Sequence, residues 1–204
     1  VGLYEDQVLP RAIDLALRGK AIDRMRARVS SGLSGEVLEL GFGTGRNLPH
    51  LPDGVSVLRI VEPAAVGRAL AAGRIAARHI PVEDVGLDGA VLPLPDESVD
   101  HVLSTWTLCT IPDVRAALAE TARVLRPGGA LHFIEHGRAP DAGVARWQDR
   151  LTPLQRRLFG GCHLNRPMAA LIESSGLHLQ DLENFYMQGP KVLSYMYEGR
   201  AVKR

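Results

Sequence analysis

Two cysteines, Cys109 and Cys162, are all that 204 residues contain, which is too few for the disulfide framework of a small secreted module. Two reduced thiols in a cytoplasmic protein are expected instead, and their spacing identifies no metal-ligand set. Charge of one sign is equally scarce. With 24 Lys and Arg against 23 Asp and Glu, the net charge of +1 lacks the field of a nucleic-acid binder, so no nucleic-acid partner is expected. No run of about 18 apolar residues could cross a bilayer, and no charged start followed by an apolar signal core is visible. Internal repeats and low-complexity tails are absent too. One hydrophobic core can serve a chain of this length. The expected organisation is therefore a single domain over 1–204, with a helical cap over 1–30 and a helical insertion over 140–165.

From Tyr4 to about Val29, apolar residues recur at helical spacing between arginines, and Pro10 and Gly19 divide the stretch into two or more short helices. Val37–Leu40 reads as a buried strand running into Gly41-Phe42-Gly43-Thr44-Gly45, with Arg46 to His50 opening the next helix. Val57–Val61 is a second strand ending at Glu62. Ala64–Ala77 and Val114–Leu125 read as helices, Val99–Thr105 and Ala130–Glu135 as strands, and Arg126-Pro127-Gly128-Gly129 as a compact turn. The alternation predicts an α/β sandwich. Val144 to Leu158 carries an arginine-flanked apolar helix face that predicts a lid-like insertion. Asn165 is expected to cap a helix from Arg166-Pro167 to Gly176, and Leu177–Phe185 and Val192–Val202 are two closing strands.

The glycine loop carries the functional signal. A dinucleotide site prefers G-x-G-x-x-G, but Arg46 stands where the third glycine should be. Gly41 and Gly43 instead bare the backbone for the amino-acid end of a cofactor. Glu62 offers a bidentate acceptor for two ribose hydroxyls, and Asp88 can accept from an adenine amino group with Gly89 beside it.

On these residues the chain resembles the class I S-adenosylmethionine-dependent methyltransferases over about 35–202. The resemblance implies a Rossmann-like fold: a seven-stranded, mostly parallel sheet ending in an antiparallel hairpin. It also implies S-adenosyl-L-methionine as cofactor, with Glu39, Gly41, Gly43, Gly45 and Asn47 around the methionine portion. Glu62 and Pro63 would lie at the ribose, Asp88 and Gly89 at the adenine, and Thr105 in the segment lining cofactor and acceptor. A narrower similarity rests on Leu108-Cys109, Leu125–Gly129, Phe133-Ile134-Glu135-His136 and Gly161–Arg166. These segments resemble the methyltransferase-like-seven group, which includes thiol methyltransferases.

The activated sulfonium needs alignment more than a protein nucleophile. A small thiol, oxygen or amine acceptor is expected, bounded by Trp106, with His136 as the candidate acid-base residue. A phospholipid amine acceptor, or a cofactor-binding protein without turnover, are the competing readings. The basic N-terminal cap and Arg146, Arg150, Arg156 and Arg157 leave peripheral contact with an anionic lipid surface open.

Overall fold

The computed structural model describes residues 8–204, so the expected helix start at Tyr4 lies outside the described residues. Two helices, α1 (Leu9–Ala16) and α2 (Lys20–Ser30), precede the first strand. They part at Gly19, whose φ of 119° breaks the helical path as the sequence predicts. Then follow β1 (Gly35–Leu40), a single 3-10 turn (Leu48–His50), β2 (Val55–Val61), α3 (Ala65–Ala76), β3 (Val82–Gly86), β4 (Val99–Thr105) and α4 (Val114–Val124). The chain closes with β5 (Leu125–His136), α5 (Ala142–Leu158), α6 (Met168–Glu173), β6 (His178–Tyr186), the short α7 (Lys191–Ser194) and β7 (Tyr195–Val202).

The seven strands form one sheet in the order β3-β2-β1-β4-β5-β7-β6. β1 to β5 run parallel, while β7 pairs antiparallel with both β5 and β6, so the expected closing hairpin is present. As central strands covered on both faces, β1 and β4 are buried without alternation over Val37–Leu40 and Val102–Thr105. One face packs Leu118 of α4 and Leu171 and Ile172 of α6 against Leu38, Val102 and Phe133. The other packs Val29 of α2 and Ala71 of α3 against Val37, Leu58 and Leu103.

Three expectations change in the structure, and one strand, β3, was not foreseen. The helix expected after the glycine loop shrinks to one 3-10 turn, because Pro49 lies inside it and Pro52 holds Leu51 extended at ψ 133°. β3 carries Glu83 and Asp84 and lies at the sheet edge, so it lacked an apolar signature. The Arg126–Gly129 turn is absorbed into β5 as a register break, Val99 facing Leu125 and His101 facing Ala130. Asn165 caps no helix; its amide donates to Asp149 at 2.8 Å, and α6 begins after Pro167.

Candidate functional site

The sheet's switch point lies between β1 and β4, because β1 connects outward to β2 on one side while β3 crosses back to β4 on the other, and a crevice is expected beyond the strand ends there. A cavity of about 430 Å³ occupies that position. Its floor is made by the end of β1 and the glycine loop. Its sides come from Glu62 to Ala64 after β2, Leu87 to Gly89 after β3 and Thr105 to Thr107 after β4. Its mouth is apolar, with Leu9 and Ile13 from α1, Leu17 directly after it, Ile111 and Phe159.

The glycines of the loop have separate tasks. Gly41, Gly43 and Gly45 have φ of 68°, 56° and 72°, a region L side chains seldom occupy. A Cβ on Gly41 would collide with the Thr107 side chain, and one on Gly45 would stand 2.9 Å from Phe42. A Cβ on Gly43 would meet only the Gly41 carbonyl at 3.9 Å, so this glycine keeps the floor open. Gly41 and Gly43 line the cavity; Gly45 does not, and serves packing beneath it.

Glu39 is 1 % exposed and lines the cavity. Asn47 donates to its Oε1 at 2.7 Å, while its Oε2 has no partner. Burial pushes its carboxyl up to about 8, against the opposing pull of Asn47 and the nearby Arg26 charge. Arg26, from α2, lies at the same place. Its Nη1 donates to Asn47 Oδ1 at 2.6 Å and Thr105 Oγ1 at 3.1 Å, its Nε is unpartnered, and its guanidinium lies 4.9 Å from the Trp106 ring. Burial lowers this arginine to about 10, which leaves it a cation at neutral pH. Asn47, expected at the cofactor, is instead a buried brace that holds Glu39, Arg26 and Thr105 in register without lining the cavity.

Glu62 ties the loop to the next turn. Gly43 N–H donates to Oε2 at 2.6 Å and Ala64 N–H to Oε1 at 2.8 Å, while burial raises its pKa against those two bonds. Each oxygen keeps a second lone pair for a ligand hydroxyl. Asp88 is exposed at the cavity side and accepts from Ala90 N–H at 2.8 Å; Pro63, Gly89 and Thr105 line the same space.

Asp14 is a residue the sequence did not point to. It accepts from Thr44 Oγ1 at 2.5 Å, from Arg46 at 2.6 and 2.9 Å and from Arg18, and the Arg46 guanidinium above all holds it well below the usual carboxylate range. These bonds fasten α1 onto the glycine loop, so the N-terminal cap is part of the cavity wall. The helical insertion expected over 140–165 contains α5 and touches the cavity at its exit alone. Only Phe159 to Gly161, after α5, reach the cavity, whereas Arg146, Trp147 and Arg150 line a separate surface groove with Val192.

The loop after β4 is built around Glu135. Its buried carboxylate accepts from Ser104 Oγ at 2.7 Å and from the N–H groups of Thr107, Leu108 and Cys109 at 2.9, 3.0 and 3.3 Å. Trp106, at a strained φ of 53°, enters the same turn. His136 is placed differently from expectation. It is buried, is not among the residues lining the cavity, and its ring nitrogen Nε2 lies 3.4 Å from Cys162 Sγ. An acid-base role would need contact with the acceptor space that this position does not give it.

Comparison with known proteins follows the same lines. A family described as a methyltransferase domain matches residues 38–133. The rat thiol S-methyltransferase TMT1B is 34 % identical over 183 residues, covering 84 % of this chain and 73 % of that protein. The human thiol S-methyltransferase TMT1A is 32 % identical over 176 residues, covering 81 % and 72 %. Among solved structures, one described as a putative methyltransferase from Bacillus halodurans superposes with a TM-score of 0.69 at 16 % identity, covering 88 % of this chain and 95 % of that one.

Proposed function

Because the chain belongs to the class I S-adenosyl-L-methionine-dependent methyltransferases, near the thiol S-methyltransferase group, we propose that this cavity holds S-adenosyl-L-methionine and presents its methyl group to a small apolar thiol. Two buried charged residues that both line the cavity, Glu39 and Arg26, each keep one polar atom without a partner, and this carries the reading. A buried carboxylate and guanidinium left incomplete are costly unless a ligand completes them. The ammonium and carboxylate of an amino acid supply the matching charges.

In the proposed arrangement Glu39 and Arg26 hold the amino-acid end, with Gly41 and Gly43 leaving room for it. Glu62 accepts from the sugar, and Asp88 with Gly89 borders the base. Once bound, the cofactor supplies a methyl group already activated by its sulfonium. The protein aligns and shields. Leu9, Ile13, Leu17 and Phe159 exclude water from the mouth and favour an apolar acceptor. A thiol of ordinary pKa, ~8.5, releases its proton to solvent readily enough that no protein base is required. Thiol specificity draws on the names of the two mammalian relatives. A reducing, cytoplasmic setting belongs to the same proposal, supported by two free cysteines; no helix among the described residues is long and apolar enough to cross a membrane.

Calorimetric titration with S-adenosyl-L-methionine and its demethylated product, followed by an acceptor panel of alkyl thiols, phenols and amino lipids, tests this. Binding of both cofactor forms and turnover on alkyl thiols are expected. Turnover confined to amino lipids or phenols would overturn the acceptor assignment, and lack of binding would overturn the cavity assignment.

A further inference from the structure

Behind the acceptor-side wall, three chain segments bring together side chains that spacing alone does not connect. Cys109 follows β4, His136 ends β5, and Cys162 lies between α5 and α6. All three are buried, and one ligand atom from each lies within 4.8 Å of the others. The two Sγ atoms are 3.8 Å apart, and Cys162 Sγ is 3.4 Å from His136 Nε2.

We propose that Cys109, His136 and Cys162 form a binding site for a thiophilic divalent cation, zinc first among them. Two sulfurs at ~2.3 Å from a tetrahedral zinc stand about 3.8 Å apart, and a sulfur and an imidazole nitrogen about 3.6 Å apart. The two separations made by Cys162 already match to within a few tenths of an ångström, and Cys109 Sγ, within 4.8 Å of the imidazole, needs only a small shift to complete the set. A disulfide explains it less well. Its bond is ~2.05 Å, nearly half the distance found, and it would give the histidine no task. Simple packing fares no better, since the buried imidazole has sulfur as its polar neighbour, a weak partner that leaves the ring poorly satisfied.

The ligand types select the ion. Thiolate and imidazole favour zinc and its softer neighbours over magnesium or calcium, which require oxygen. A doubly charged ion with two thiolates is neutral as a unit and adds no net charge to the interior. Three protein ligands leave the fourth tetrahedral position to a non-protein donor.

The site's place suggests what the ion does. Thr110 to Pro112, directly after Cys109, and Phe159 to Gly161, directly before Cys162, both line the cavity. Metal binding would therefore fasten two walls of the acceptor end to the tip of β5. This inference stands apart from the methyl-transfer reading, and its test reads the metal directly.

Full-length protein, purified under a thiol-free reductant without chelator, should carry close to one equivalent of zinc by elemental mass spectrometry. After zinc removal, cobalt(II) alone should restore thiolate-to-cobalt charge-transfer absorption and the intense visible bands of a four-coordinate ion. Cys162→Ser and His136→Gln should each weaken zinc retention against a competing chelator by roughly 100-fold, since even losses outside the ligand sphere cost 10–100-fold. If a variant fails to fold, the wild type still decides, because zinc should slow alkylation of both cysteines in the folded protein. Folded, reduced wild type without cobalt charge transfer would overturn the proposal. So would retention unchanged in both variants, or a Cys109–Cys162 disulfide in metal-free protein that zinc does not protect after reduction.

Discussion

The floor and the mouth of the cavity are built by opposite means. At the floor, Glu39, Asn47, Arg26 and Thr105 form a buried polar network whose groups are held by hydrogen bonds of 2.6–3.1 Å, with two atoms left incomplete. At the mouth, apolar side chains from α1 and from the segment after α5 meet without such bonds, and Phe159 remains 48 % exposed. A preorganised polar floor can bind one ligand with little rearrangement, whereas a loosely packed apolar rim can admit acceptors of varied shape. On the proposed reading, the contrast separates what is fixed in this enzyme, the end assigned to the cofactor, from what is adaptable, the end assigned to the acceptor.

The sharpest way to break the contrast is Gly41→Ala. The substitution forces an L residue to φ 68° and drives its Cβ into Thr107. We expect a loss of about 2–4 kcal/mol by urea denaturation, together with loss of cofactor binding by calorimetry. Away from the cavity, Gly143→Ala in α5 meets nothing within 4 Å and should gain up to about 1 kcal/mol from helix propensity. Equal destabilisation by the two would show that the floor is no more constrained than its surroundings.

Glu39→Gln comes next. It keeps shape and the Asn47 contact while removing the charge offered to a cofactor ammonium. Cofactor affinity should fall roughly 10- to 100-fold, the worth of one charge-assisted bond of about 1.5–3 kcal/mol. The melting temperature should hold at neutral pH, where the free protein already carries this carboxyl protonated, and rise above pH 8, where a buried and incompletely bonded carboxylate is removed. A fall in stability with unchanged affinity would make Glu39 a structural residue.

The same residue predicts a pH dependence. With its carboxyl pushed up to about 8, Glu39 is protonated below that pH in the free protein, and binding an ammonium must first expel the proton. Affinity should therefore drop as pH falls below 8, by ~5-fold between pH 8 and 7 and approaching ~10-fold per unit below that. The cofactor's own amino group contributes a separate limb, so the relevant quantity is the difference between wild type and Glu39→Gln. Identical pH profiles for the two would remove this assignment.

How far the sequence revealed each region follows the same division. The floor was readable because its residues are contiguous: the strand Val37–Leu40, the glycines and Glu62 at the next strand end obey spacing that a tight β-to-loop turn demands. What it concealed were the partners reaching in from elsewhere. Arg26 read as one of many arginines on a basic helix face, and Asp14 as an ordinary polar residue, because a side chain's burial under another element leaves no local pattern. Asn47 and Gly45 were legible as part of the motif but not as supports beneath it. The mouth was least readable: the arginine-flanked periodicity of α5 suggested a lid, yet that helix points its Trp147 to a different groove and leaves only its exit residues at the cavity. His136 likewise lies at a strand end facing the site by topology, while its ring turns to Cys162 instead.

The smallest expected effect sharpens the comparison from the mouth. Phe159→Ala removes a half-exposed ring, so only part of its ~1.5–3 kcal/mol burial value is at stake, and about 1 kcal/mol is the reasonable share. If the ring serves the acceptor alone, KM for an alkyl thiol should rise three- to tenfold while kcat and cofactor affinity stay within twofold, the signature of lost uniform binding. Longer alkyl chains should feel the change more than short ones, because they cover more of the rim. A parallel loss of cofactor affinity would instead mean that floor and mouth are mechanically coupled. The connection would then run through α1, which contributes Leu9 to the rim and Asp14 to the glycine loop.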